Sequence, residues 1–325
     1  MSTFQILGEG VLAHSDTSNS QQPIIGAALL QFPVDATSIG TTEATWRSAI
    51  GQAHHAGFTH IDVTDSCIPL GDLSDSEILL LRRICNEFTI ALSALSVTRK
   101  SILTSDQNKA KANYDYTVRA IDRAAELGIE VVCLGLHDQL TPEQEQATWF
   151  WLADGNTHEF DAETWDRAVT LFRELGEYAA TKSIKLSLEM YEDTFLGTAD
   201  QAVALIEAIG LDNVGLNPDI GNIVRLHRPI EDWKYMLETM LPYSNYWQLK
   251  NYYRDFDPAT GAYFSAPAPL ELGFIDYRWA LQRATELGFN GVMCAEHYGG
   301  DGLSVSARNR EYILNILSAQ AKIRG

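Results

Sequence analysis

The second half of the chain carries four metal-compatible side chains, each alone on an apolar, strand-like run: Glu189 in IKLSLEMYED, Asp219 in NVGLNPDIGN, Gln248 in NYWQLKNY and Glu296 in GVMCAEHY. An unpaired carboxylate inside such a run carries a heavy desolvation cost, so each needs a cation or a proton for company. Taken singly, a buried Glu paired with Arg or Lys meets that need by an ordinary structural route. Three carboxylates on neighbouring strands would instead repel one another unless a cation lay between them. An oxygen-rich set suits Mn²⁺ or Mg²⁺ better than Zn²⁺, which prefers nitrogen and sulfur. Gln248 is the odd member: its amide carbonyl can ligate a hard cation, but weakly and without titrating.

For these residues to converge, their runs must be successive parallel strands whose carboxyl ends share one mouth. Eight such runs are present, at 23–32, 58–65, 88–97, 129–138, 184–193, 213–222, 245–252 and 291–298. Between them lie amphipathic stretches such as TEATWRSAIGQAHHAG, YDYTVRAIDRAAELG, AETWDRAVTLFRELGEYAATKS, TADQAVALIEAIG, IEDWKYMLETM and YRWALQRATELG, several ending in Gly as a helix C-cap does. Near-continuous apolar strands alternating with helices predict an α/β fold, a (β/α)8 TIM barrel. An open doubly wound sheet is the alternative; it lacks support from a GxGxxG turn after the first strand. The expected organisation is an N-terminal extension over 1–22 and a single barrel domain over 23–325, with loop insertions at 139–163 and 253–273. Long loops at the strand carboxyl ends line or cap a barrel's site, and the WFWL run of the first insertion also reads as a docking surface for a partner chain.

Acidic residues outnumber basic ones 43 to 24, for a formal charge of −19, and no Lys or Arg block interrupts that balance. Nucleic acid is excluded as an expected partner, since phosphate binding needs a cationic surface. Cys67, Cys85, Cys133 and Cys294 show no CxxC spacing and read as buried thiols in a reducing compartment. Without a bilayer-length apolar run or a secretory leader pattern, no membrane association is expected, and a cytoplasmic location follows.

The constellation resembles the xylose isomerase-like sugar phosphate isomerase/epimerase superfamily, whose members place Glu, Asp, His and Glu at the ends of the fifth to eighth strands around one divalent cation. The matching positions are Glu189, Asp219, Gln248 and Glu296. A seventh-strand pattern similar to that of ketose 3-epimerases reads Gln248, Lys250, Asn251 and then Arg254 here, and PLELGFIDY looks like the family's next segment. The resemblance implies that Glu189 and Glu296 are both metal ligands and a catalytic acid/base pair flanking an enediolate, with Arg254 orienting a substrate oxygen. It also implies a metal-dependent isomerase or epimerase of a sugar or cyclitol.

Two imidazoles of the family pattern are missing, because Gln248 stands for one and Asn222 for the other. His137, ending the fourth strand in CLGLHDQ, is the natural titratable substitute, set against the common case of a core histidine. Asn222, Lys250 and Trp247 are the remaining expected substrate contacts, although Trp247 reads equally as barrel packing. The replaced histidines open a second expectation from the resemblance: the large subunit of a C-glycoside deglycosidase, a lyase that cleaves 3-oxo-glycosides by elimination with a small partner subunit. A non-catalytic sugar-binding barrel is the third. In each case the partner is a small sugar or glycoside, and an oligomer is expected.

Overall fold

The eight apolar runs fold as short parallel strands. The structure, a computed structural model, describes residues 23–31 and 42–324. The expected extension over 1–22 lies outside the described residues. The barrel strands are β1 (Ile25–Ala28), β2 (His60–Thr64), β3 (Ala91–Val97), β4 (Val131–Leu134), β5 (Lys185–Glu189), β6 (Val214–Asn217), β7 (Tyr246–Leu249) and β10 (Val292–Ala295). They pair in the order β6-β5-β4-β3-β2-β1-β10-β7. A single parallel bridge, Leu216 to Ser244, brings β6 back to the start of β7, so the sheet nearly closes into a barrel. Most ladders end before their runs do, leaving the last residues of those runs at the mouth.

The surrounding helices are α1 (Thr42–His55), α2 (Asp75–Glu87), α3 (Gln107–Leu127), α4 (Pro142–Gln146), α5 (Ala162–Thr181), α6 (Ala199–Ile209), α7 (Gly221–Val224), α8 (Trp233–Met240), α9 (Tyr277–Glu286) and α10 (Gly302–Arg324). Side-chain caps fix the starts of many: Asp106, Asp161, Thr198, Asp232 and Asp276 each accept hydrogen bonds from first-turn amides. Ser74 and Glu77 form a reciprocal capping box on α2, a helix absent from the expected pattern, as is α10. The long connection after β3 is resolved by α3 starting at Gln107, seven residues before YDYTV.

The insertion expected as a loop over 253–273 is mostly a hairpin, β8 (Asn251–Asp257) against β9 (Ala262–Ala268). Alternation in YYRDFD and AYFSA, joined through a turn at Gly261 with φ +74°, was the available signal. The WFWL run turns inward. Trp151 is buried, Trp149 and Phe150 pack against the core, and only Leu152 is largely exposed. All four cysteines are free thiols. No helix among the described residues is long and apolar enough to cross a membrane.

Candidate active site

The chain geometry sets the site at the strand carboxyl ends. Glu189 is the last residue of β5, Asp219 lies two residues beyond β6, Gln248 is in β7, and Glu296 immediately follows β10. All four are buried. Lys250, two residues after Gln248 and therefore on the same face of the strand, sends its ammonium among the acids. Its Nζ lies 2.7 Å from Asp219 Oδ2 and 2.9 Å from Glu296 Oε1. Gly221 makes room for this: a Cβ there would stand 2.5 Å from Lys250 Cγ. Glu189 takes a different partner, accepting a 2.8 Å hydrogen bond from Asn222 Nδ2, which also donates to the Met190 carbonyl.

Burial pushes the Glu189 and Asp219 carboxyls well above the ordinary range, and the charge of Glu296 adds to that while Lys250 opposes it. Burial alone would lower the Lys250 ammonium, but Asp219 and Glu296 outweigh it and hold Lys250 well above its usual value. His137 is driven the other way. Burial, followed by the charges of Arg99, Arg225 and Lys250, keeps its imidazole neutral. The ring stacks on Tyr191 at 4.3 Å, and its Nδ1 has no hydrogen-bond partner among the described residues. Gly135 is required beneath it, since a Cβ would lie 2.3 Å from that nitrogen.

The donor set fits a hard divalent cation in charge and element. Three buried carboxylates face one ammonium, and Asp219 Oδ1 has no hydrogen-bond partner among the described residues. The side chains do not yet close on one point. Among the described residues no three His, Cys, Asp or Glu groups are gathered closely enough to hold an ion as they stand. Lys250 sits between Asp219 and Glu296, and the Gln248 amide is held by its neighbours. Asn217 Oδ1 accepts from the Gln248 backbone N–H at 2.9 Å, which turns Asn217 Nδ2 onto Gln248 Oε1 at 2.7 Å. Gln248 Nε2 donates to Ser96 Oγ at 3.3 Å. Gln248 therefore presents its N–H side, not its carbonyl, toward β3.

Two expected substrate contacts are placed elsewhere. Trp247 alternates with Gln248 and faces the outer layer, packing on Tyr277 and Phe289. Arg254, on β8, donates to the backbone carbonyls of Val224, Leu226 and Arg228, fastening the hairpin to the segment after α7. Sequence reasoning missed Arg225, whose fully buried guanidinium pairs with Glu192 at 2.9 Å and lies against Phe150, Trp151 and Tyr191. A charge set in the apolar stretch GNIVRL, six residues after Asp219, was the readable sign. Arg99 was missed too; it has φ +54° at the end of the β3 segment and lies over Phe150.

The chain belongs to the xylose isomerase-like TIM-barrel family, whose profile matches residues 50–316. A magnesium-bound xylose isomerase-like TIM-barrel protein from Mycobacterium smegmatis is 46% identical, with a TM-score of 0.86 over 91% of this chain and 97% of that one. The D-allulose 3-epimerase of a Methylomonas species shares the fold at 16% identity, with a TM-score of 0.66 over 91% of this chain and 98% of its own. A probable L-ribulose-5-phosphate 3-epimerase, UlaE, from Mycoplasma pneumoniae is 28% identical over 195 residues. That alignment covers 58% of this chain and 58% of the relative's length.

Proposed function

We propose that this protein is a divalent-metal-dependent carbohydrate enzyme that removes a proton beside a carbonyl, an isomerase or epimerase of a sugar or cyclitol. The observation that carries the reading is the group of three buried carboxylates at the barrel mouth, two of which, Asp219 and Glu296, share the Lys250 ammonium while Glu189 accepts from Asn222. The epimerase names of its relatives and the magnesium of the M. smegmatis protein support it. Glu189, Asp219 and Glu296 would hold Mn²⁺ or Mg²⁺, with Gln248 as a fourth ligand once its carbonyl is freed from Asn217. Bound there, the cation polarises the substrate carbonyl and adjacent hydroxyl, making the neighbouring C–H acidic.

The chain's own groups then divide the work. Glu189 and Glu296 stand on β5 and at the end of β10, with β6 and β7 between them. One takes the proton from carbon and the other returns it from the far side of the enediolate, inverting that centre. Burial raises the Glu189 carboxyl, so without a cation it holds a proton closer to neutral pH than an ordinary carboxyl does. Lys250 donates to the oxygen on which negative charge develops. Asn222 keeps the Glu189 carboxylate aimed.

Purified protein with Mn²⁺ should exchange a substrate C–H proton with solvent deuterium, and Glu189→Gln should slow that exchange by about 10²–10⁴-fold. Exchange at the wild-type rate in this variant would sink the reading. The neutral, unpartnered imidazole of His137 favours a second outcome of the same enolisation. With His137 as base, one proton leaves the carbon beside a 3-oxo group and the glycosidic bond breaks with its electron pair on the leaving group. Release of the aglycone from a 3-oxo-glycoside, with a small co-purifying subunit present or absent, separates elimination from epimerisation.

A further inference from the structure

Above the carboxylates lies a cavity of about 100 Å³ whose wall includes Glu189, Lys250, Glu296 and Tyr298. A second cavity of about 210 Å³ adjoins it toward the insertion after β4. The two share Arg99, His137 and Tyr191, so one cleft runs from the reacting end outward. The enolising reading puts one sugar in the inner cavity; the outer one is twice as large, and of its lining residues only His137 enters that chemistry.

The outer wall identifies what it fits by its charge balance. Most of its acids already have counter-ions: Lys109 Nζ is 2.7 Å from Asp138, Arg225 pairs with Glu192, and Arg228 lies 2.8 Å from Asp193. Among the described residues, Arg99 and Asp154 have no ionic partner, one cation and one anion. Their charges cancel, which disfavours a phosphate or carboxylate in this space. The wall is also too polar for an apolar group, with few aliphatic side chains beside its charged and amide ones. Trp151 and Tyr191 give the wall aromatic surface, and Gln144, Asn156 and Thr194 bring amide and hydroxyl groups to it. Donors and acceptors in balance around an aromatic face suit a neutral, hydroxyl-rich ring.

We propose that the outer cavity is a second sugar subsite, formed by the 139–163 insertion and the segments after β5 and α7, so that the substrate is a ketose or keto-sugar bearing a further uncharged hexosyl ring. The inference rests on the enolising reading for its inner sugar and adds the outer one. The insertion is then a specificity element: without it the mouth would open directly onto a single-sugar site.

The test uses the full chain with Mn²⁺ and two measurements, binding by titration calorimetry and deuterium exchange by NMR. The probes are fructose and the glucosyl-fructoses turanose, maltulose, leucrose and isomaltulose, which differ only in the fructose hydroxyl that carries the second ring. At least one linked sugar should bind about tenfold more tightly than fructose. Ala153→Trp, which fills the outer cavity, should erase that difference, and Asp154→Ala should reduce it if the bulkier change does not fold. All four binding no better than fructose, or an advantage indifferent to both substitutions, overturns the subsite. Exchange of fructose without any linked-sugar advantage removes the subsite and leaves the enolising reading intact. A linked-sugar advantage that depends on Ala153 without any C–H exchange does the reverse.

Discussion

At the barrel mouth, Asp219 and Glu296 pair with the Lys250 ammonium, and Glu189 feels its charge from beside them. One layer down, Asp62 is just as buried yet has no ionic partner among the described residues; Ser96 Oγ donates to its Oδ2 at 2.9 Å, and Tyr246 OH donates to the same oxygen. Both layers are polar and enclosed by the same strands. In the upper layer the Lys250 charge opposes the burial that raises the Glu189 and Asp219 carboxyls. The lower one relies on neutral hydrogen bonds, and the link from Ser96 through Gln248 to Asn217 ties it to the underside of the site. A buried acid is thus no sign of catalysis by itself; the partner it keeps decides.

That contrast can be broken by experiment. Lys250→Met leaves Asp219 and Glu296 buried without a counter-charge and should cost about 3–5 kcal/mol in metal-free denaturant unfolding. Added Mg²⁺ should recover more stability in the variant than in the wild type. A loss too small to measure would mean that the upper layer is no more ionic than the lower.

Asp62 gives the next largest effect and the opposite sign. Burial pushes its carboxyl up to about 6, so its favourable contribution is complete below the unfolded value and fades as pH rises through about 6. Ionising it in the folded state costs about 3 kcal/mol at most. Asp62→Asn, which preserves the neutral form, should therefore gain stability relative to the wild type between pH 4 and neutrality, as about one step of melting temperature curves measured across that range. A pH-independent difference would show that Asp62 is ionised and paired like its neighbours above.

Asn217→Ala sits between the layers. It removes a donor from Gln248 Oε1 and an acceptor from the Gln248 backbone N–H, for a loss of about 1–3 kcal/mol. Faster hydrogen exchange at the Gln248 amide should accompany it, and unaltered exchange there would assign the clamp to some other group.

The strands were legible because most of their residues are buried on both faces, so they read as short, largely apolar runs from Ile25 to Ala295. The positions of Glu189, Asp219 and Glu296 followed from that. The orientation of Trp247 was also legible, since strand alternation sets it opposite Gln248, but its aromatic character drew attention to the site instead. Other features needed coordinates. Arg254 looks free in sequence, and only the hairpin reveals three carbonyls waiting for it. Nothing in the sequence shows that the Gln248 amide is turned by Asn217, a contact across 31 residues.

The junction of β6 with β7 has a further meaning. Backbone pairing there comes down to one bridge, and the rest of the fastening is side chain: Asn217 to Gln248, and the Asp219 carboxylate to the Lys250 ammonium. The Asp219 and Lys250 charges are therefore also the latch of the hoop. Whatever draws Asp219 or Lys250 toward a ligand loosens or tightens the barrel's circumference at that stave, so binding there would be mechanically continuous with the closure of the barrel.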